Sequence, residues 1–133
     1  MDITQFEKYK AEISEELDLS DFNMKDVQMR MPAIKHKWVA RLIRQKIELI
    51  RYKKLKQQAI ELIADKMRKE NPVLLSDVAL SRQAEKHDKV QQINESIDEC
   101  NILIEYLEKI EKICSSTSFD IKNLIDIKKL EIM

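Results

Sequence analysis

Residues 32–70 read PAIKHKWVARLIRQKIELIRYKKLKQQAIELIADKMRKE, with no glycine and with proline only at the first position. Proline suits the first turn of a helix, where its missing N–H would have no partner anyway. The Asn71-Pro72 pair that follows is a helix stop. Between these signals, at 100° per residue, Ile34, Trp38, Leu42, Leu49, Ile60, Ile63 and Met67 line one face. Val39, Ile43, Ile47 and Ile50 line a second face roughly 120° away. The stretch therefore predicts one long helix that must pack on two sides. A small monomer rarely needs such a helix, whereas one shared with neighbouring subunits does.

The rest of the chain follows the same pattern. It has 133 residues, about one domain, with 36% charged residues, two prolines and no glycine. Without glycine the positive-φ corners of hairpins and phosphate-cradling loops are expensive. This argues against sheets and against Walker or dinucleotide folds, and the expected class is all-α. Residues 1–23 hold seven acids and two lysines. Phe6, Tyr9, Ile13 and Leu17 recur there at helical spacing, so a short acidic amphipathic helix is expected from about Ile3 to Leu17. A polar turn around Ser20-Asp21-Phe22-Asn23 follows. This segment either folds back on basic sequence elsewhere or is a mobile arm. A third helix should start between Ser76 and Ser81, with Val90, Ile93, Ile97, Cys100, Ile104 and Leu107 in a 3-4 alternation that Ile110 and Cys114 continue. That is an a/d seam of the coiled-coil kind. The run Ser115-Ser116-Thr117-Ser118 is expected to break it. A final helix from Phe119 to about Met133 carries Ile121, Leu124, Ile125 and Leu130 on one side. The expected organisation is an acidic N-terminal helix or arm over residues 1–23, a long-helix core over 24–118 and an oligomerisation helix over 119–133. Long amphipathic helices flanked by short terminal ones would assemble into a helical homo-oligomer.

Charge is distributed unevenly. Between Lys35 and Lys56 stand nine cations, Lys35, Lys37, Arg41, Arg44, Lys46, Arg51, Lys53, Lys54 and Lys56, against one acid, Glu48. The whole chain has 24 bases and 24 acids, so the other 111 residues carry an excess of acid. A dense basic block on one helix is the electrostatic footprint of a nucleic-acid contact. A solvated helix face would look similar. Lys37, Arg41, Arg44 and Arg51 fall in one stripe about 80° wide and about 20 Å long, with Glu48 in the same stripe, expected to pair with Arg44 or Arg51. A row of flexible cations matches a phosphate backbone without reading its sequence. Trp38 and Tyr52, inside the block, are candidate base-stacking platforms, though both also lie on the apolar stripe and core packing competes for them.

Signals for catalysis are missing. His36 and His87 are far apart and neither stands in a ligand spacing with Cys, Asp or Glu. The acids read as exposed helix positions, such as Glu108 four residues from Lys112. No enzyme activity, metal or cofactor is expected. Cys100 and Cys114 would lie about 21 Å apart along one helix, too far for a disulfide, and read as core thiols. No apolar run approaches the ~20 residues of a membrane span, and no secretory signal is visible. A cytoplasmic location is the expectation.

In order of features the chain resembles the UvsY recombination mediator family of T-even-type bacteriophages. The resemblance rests on Lys37-Trp38 leading a basic helix with Lys46, Glu48, Arg51 and Lys56. It rests also on residues Phe119-Asp120-Ile121-Lys122-Asn123-Leu124-Ile125-Asp126-Ile127-Lys128 and on Asn101-Ile102-Leu103-Ile104. It runs from about Met24 onward and is weak in the first twenty residues and around Asn71 to Lys86. The resemblance implies a homo-oligomeric ring, a hexamer or heptamer, that binds single-stranded DNA in the host bacterial cell. Such a ring helps a RecA-like recombinase displace the single-strand DNA-binding protein during recombination, repair and replication. Phe119, Ile121, Leu124, Ile125 and Leu130 would tether its subunits. One departure stands out: the family's second basic motif, Leu-Lys-Ala-Arg, falls opposite Ile60-Glu61-Leu62-Ile63 here. DNA contacts would then rest on the nine cations from Lys35 to Lys56. The rival expectation is a helical protein–protein adaptor with no nucleic-acid role. A duplex-reading protein is less favoured, because no helix-turn-helix or other groove-reading module is visible.

Overall fold

The computed structural model describes residues 1–70 and 75–132. Four helices follow one another: α1 (Thr4–Glu16), α2 (Met24–Glu70), α3 (Asp77–Glu85) and α4 (Asp88–Ile132). The expected stop at Asn71-Pro72 lies outside the described residues. The chain divides into two units. A terminal unit contains Asp2–Arg44 and the chain from Leu103 onward, and a central unit contains Gln45–Ile102. Both long helices contribute to each.

In the terminal unit, Ile13 of α1, Met24, Val27, Met31, Ile34, Trp38 and Leu42 of α2, and Leu107, Ile110, Cys114 and Ile121 of α4 form one buried cluster. Tyr9, Leu17 and Leu19 pack on its edge. In the central unit the core is smaller, with Ile60, Ala84 and Val90 buried and Ala59, Ile63 and Ala64 beside them. Thus the first apolar stripe of α2 and the seam of α4 both face inward. The second stripe of α2, Val39, Ile43, Ile47 and Ile50, is left exposed.

Three boundaries differ from the sequence expectation. Helix α2 opens at Met24, not near Pro32, and Pro32 lies inside it. An interior proline costs roughly 3 kcal/mol through its lost N–H bond and ring clash. The extra turns bury Met24, Val27 and Met31, each contributing roughly 1.5–3 kcal/mol, and that burial wins. The turn before α2 is stitched by Asn23, whose Nδ2 donates to the Asp18 carbonyl at 2.8 Å and whose Oδ1 accepts from Ser20 N–H at 2.7 Å.

The second difference is a break at Lys86-His87, which makes two helices of the expected third one. Ser76 caps α3, its hydroxyl accepting from Ala79 N–H at 3.1 Å. His87 starts α4: its carbonyl accepts from Gln91 N–H at 3.0 Å and its Nδ1 accepts from Lys89 N–H at 3.1 Å. The Gln91 amide reaches back to the Glu85 carbonyl at 2.6 Å. These bonds satisfy helix-end groups that would otherwise be orphaned.

Third, Ser115-Ser116-Thr117-Ser118 does not break α4, and there is no separate C-terminal helix. Each of these residues costs roughly 0.5 kcal/mol of helix propensity relative to alanine. Continuing the helix puts Ile121 seven residues beyond Cys114 on the same face, where both are fully buried, with Ile125 packed beside them. Burying Ile121 alone offsets the penalty. Both cysteines are free and buried, and burial pushes each thiol above its usual range.

Candidate nucleic-acid interface

The basic block occupies α2 and contributes to each unit separately. In the terminal unit it meets α1. Glu12 and Glu16 lie one helical turn apart on α1, as Lys37 and Arg41 do on α2. The antiparallel match brings all four together. Lys37 Nζ lies 2.9 Å from Glu12 Oε1 and 2.7 Å from Glu16 Oε1. Arg41 Nη1 pairs with Glu12 Oε2. The Trp38 indole N–H donates to Glu16 Oε1 at 3.1 Å. The Arg41 guanidinium lies 4.7 Å from the Trp38 ring centre and 4.9 Å from that of Tyr9, and Tyr9 meets Trp38 edge-on at 5.3 Å. Phe6 meets Tyr106 edge-on at 4.8 Å. Of the two arrangements open for the N-terminal segment, the fold-back is the one adopted.

Charge and burial act together here. The Arg41 hydrogen bond holds the Glu12 carboxyl below its usual range against the opposing effect of burial, with Lys37 adding to it. Burial alone would lower the Lys37 ammonium, but the hydrogen bonds it donates to Glu16 and Glu12 outweigh it and leave Lys37 raised. A carboxyl depressed in the folded state contributes stability that is fully present above its unfolded pKa and is lost as pH falls through its folded one. The raised Lys37 contributes below its unfolded value and loses that only in strong base. Glu12→Gln should therefore unfold at lower temperature than the wild type near pH 7, and the gap should narrow as pH falls below the usual carboxylate range. Thermal unfolding followed by circular dichroism from neutral pH into acid measures this; a gap that does not narrow with falling pH would remove the ion pair from the explanation. Since Glu12 is about one-third exposed, solvent screening keeps the effect modest.

Trp38 is 1% exposed, which matches the core-packing reading of its two sequence expectations. Both its ring and its N–H are committed to protein partners. Lys35 is half-buried, while Arg44 and His36 are exposed.

In the central unit, Arg51 lies 2.5 Å from Glu48 Oε2 and over the Tyr52 ring at 5.5 Å. Glu48 thus takes Arg51, one of the two partners expected for it, and this hydrogen bond raises the Arg51 pKa. Tyr52 and Lys56 are half-buried, and Lys46, Lys53 and Lys54 are exposed. No ion pair among the described residues takes Arg44, Lys53, Lys54 or Lys56. Cys100 Sγ donates to Gln45 Oε1 at 3.6 Å.

The expected oligomerisation residues split into two groups. Ile121 is fully buried and Ile125 packs against the same cluster, so these two belong to the subunit core. Phe119, Leu124 and Leu130 are exposed, as are Ile127 and Ile132, which sequence reasoning had not assigned to this role. Glu12 and Glu16 were also missed as partners of the basic block. Their four-residue spacing, equal to that of Lys37 and Arg41, was the available signal. Among the described residues no group of three or more His, Cys, Asp or Glu is placed to hold a metal ion. No described helix is long and apolar enough to cross a membrane.

Two long helices, a short acidic helix folded back on a basic one, and a short third helix between the long pair in sequence make up the fold of the described residues. Solved structures of similar fold include crystals of the bacteriophage T4 recombination mediator protein UvsY. Its lattice type IV form matches with a TM-score of 0.80 at 16% identity, covering 95% of this chain and 98% of that one. The type II form gives 0.78 at 15% identity, covering 96% and 97%. The type I form gives 0.75 at 15% identity, covering 92% and 97%. At this identity the likeness is one of fold, and it is the fold the sequence resemblance implied. No protein-family model and no curated protein matches the sequence.

Proposed function

We propose that this protein is a recombination mediator without enzymatic activity, one that binds single-stranded DNA along α2 and helps load a RecA-like recombinase by weakening the hold of the single-strand DNA-binding protein. The observation that carries the reading is the pairing of two features: the mediator fold over 95% of the chain, and exposed cations, Arg44, Lys53 and Lys54, on its basic helix. Flexible exposed cations contact a phosphate backbone without selecting sequence. Homo-oligomerisation, as a hexamer or heptamer, would set many such cations on one strand, and avidity would then exceed the affinity of a single subunit. The exposed apolar residues of α4 supply the tether, since patches of that kind mark association surfaces. A strand bent over several basic surfaces would lose its hold on the resident binding protein and be presented to the recombinase.

Binding of this kind must be salt-dependent, with a log–log slope of roughly −0.7 per phosphate neutralised on a single strand. Reversing Arg44, Lys53 or Lys54 to Glu should weaken binding evenly across sequences and make the slope shallower by about 0.7 for each phosphate no longer neutralised. Fluorescence anisotropy of a labelled oligonucleotide over a salt series checks this. A slope near zero, or one indifferent to the reversals, would sink the DNA reading. It would leave the adaptor alternative, which the exposed stripe of Val39 and Ile43 and the pairing of Lys37 and Arg41 with acids of the same chain favour.

A further inference from the structure

We infer that α1 is an internal competitor for the DNA-binding surface: Glu12 and Glu16 occupy Lys37 and Arg41 in place of two phosphates, and single-stranded DNA gains these cations by displacing the helix. The inference rests on the single-stranded DNA reading above and adds to it a regulation of the same surface.

The chemistry of exchange is well matched. Both carboxylates bind the cations as phosphate oxygens would, by charge-assisted hydrogen bonds. Glu12 bridges the two bases, with one oxygen on Lys37 and the other on Arg41. Lys37 is 34% exposed, Arg41 24% and Glu12 36%, with Glu16 lower at 17%, so each cation already meets water, and swapping one oxyanion for another keeps it paired. Arg44 stands one turn beyond Arg41, exposed and outside any ion pair among the described residues. It offers a first foothold for a strand that then advances onto Arg41 and Lys37.

Helix α1 is also held lightly. It has 13 residues and one buried side chain, Ile13, and at its N-terminus the Thr4 N–H donates to Asp2 Oδ1 at 2.9 Å. A helix of that length is marginal by itself in water, so its place depends on the few contacts it makes. Tyr9 and Leu17 pack at the rim of the core, and the loop after the helix leaves Phe22 fully exposed. The ion pairs with α2 act beside Phe6, Tyr9 and Ile13 in seating α1, and they are the interactions a polyanion contests.

Trp38 makes the exchange observable. It is the single tryptophan of the chain, and α1 covers it through Glu16 and Tyr9. Lifting α1 would hydrate the indole and break its bond to Glu16. Titrating oligo-dT into the full-length protein should shift Trp38 emission to longer wavelength in step with binding measured by anisotropy. Glu12→Gln/Glu16→Gln, checked for helical content, should bind the same oligonucleotide about tenfold more tightly than the wild type. A purely structural role for the acids would lower stability without raising affinity. If the wild type binds DNA while its Trp38 emission stays fixed, the competitor idea is overturned and the DNA reading stands. A folded double variant that binds no better than the wild type would overturn it equally. If neither protein binds DNA at low salt, the DNA reading itself fails and takes the competitor with it.

Discussion

Trp38→Ala is expected to cost about 3–5 kcal/mol of stability, the range for deleting a large aromatic from a packed core. The ring is buried at the meeting of α1, α2 and α4 in the terminal unit, where Leu42, Leu107 and Ile110 belong to the same cluster. Its removal leaves a cavity and strips Tyr9 and Arg41 of a ring partner. It also takes a hydrogen bond from Glu16. With typical domain stabilities of about 5–15 kcal/mol, the variant should be largely unfolded or melt far below the wild type. Urea denaturation followed by circular dichroism checks this. A variant of near wild-type stability that had lost DNA binding would restore Trp38 as a base-stacking residue.

The second large effect is expected from the tail of α4. Leu124→Asp/Leu130→Asp should lower the sedimenting mass to that of smaller species and weaken single-stranded DNA binding by about 10²–10⁴-fold, the scale of avidity lost when linked sites come apart. Both side chains are exposed in the subunit, so the substitutions leave its core intact. Removing everything after Ser118 is a poorer test, because it also removes Ile121 and uncovers Leu107, Ile110 and Cys114. Unchanged mass together with unchanged affinity would reject the tail as the tether.

The long-range features of the fold were legible where periodicity carried them. The inward stripe Ile34, Trp38, Leu42 and Ile60 and the seam from Val90 to Cys114 could be read directly, since 3.6-residue spacing reports burial. The outward stripe of Val39, Ile43, Ile47 and Ile50 was legible in the same way. Local punctuation misled in both directions. Pro32 and the Ser115–Ser118 run look like boundaries, yet tertiary burial of Met24, Val27 and Ile121 carries the helices through them. Lys86-His87 contains neither glycine nor proline, and its break rests on a histidine cap that propensity does not flag. At the candidate site, the basic block was plain from composition, while its state was not. Whether Lys37 and Arg41 face solvent or the acids of α1 depends on a pairing between residues more than twenty positions apart, which the matched four-residue spacings permit but do not fix.

The most direct test of the central claim is equilibrium binding of the full-length protein to a labelled single-stranded oligonucleotide at low and at physiological salt, with a duplex of the same sequence in parallel. The account predicts binding that prefers the single strand, weakens steeply with salt, and falls on reversing Arg44, Lys53 and Lys54. No binding at either salt, or a preference for the duplex, would contradict it.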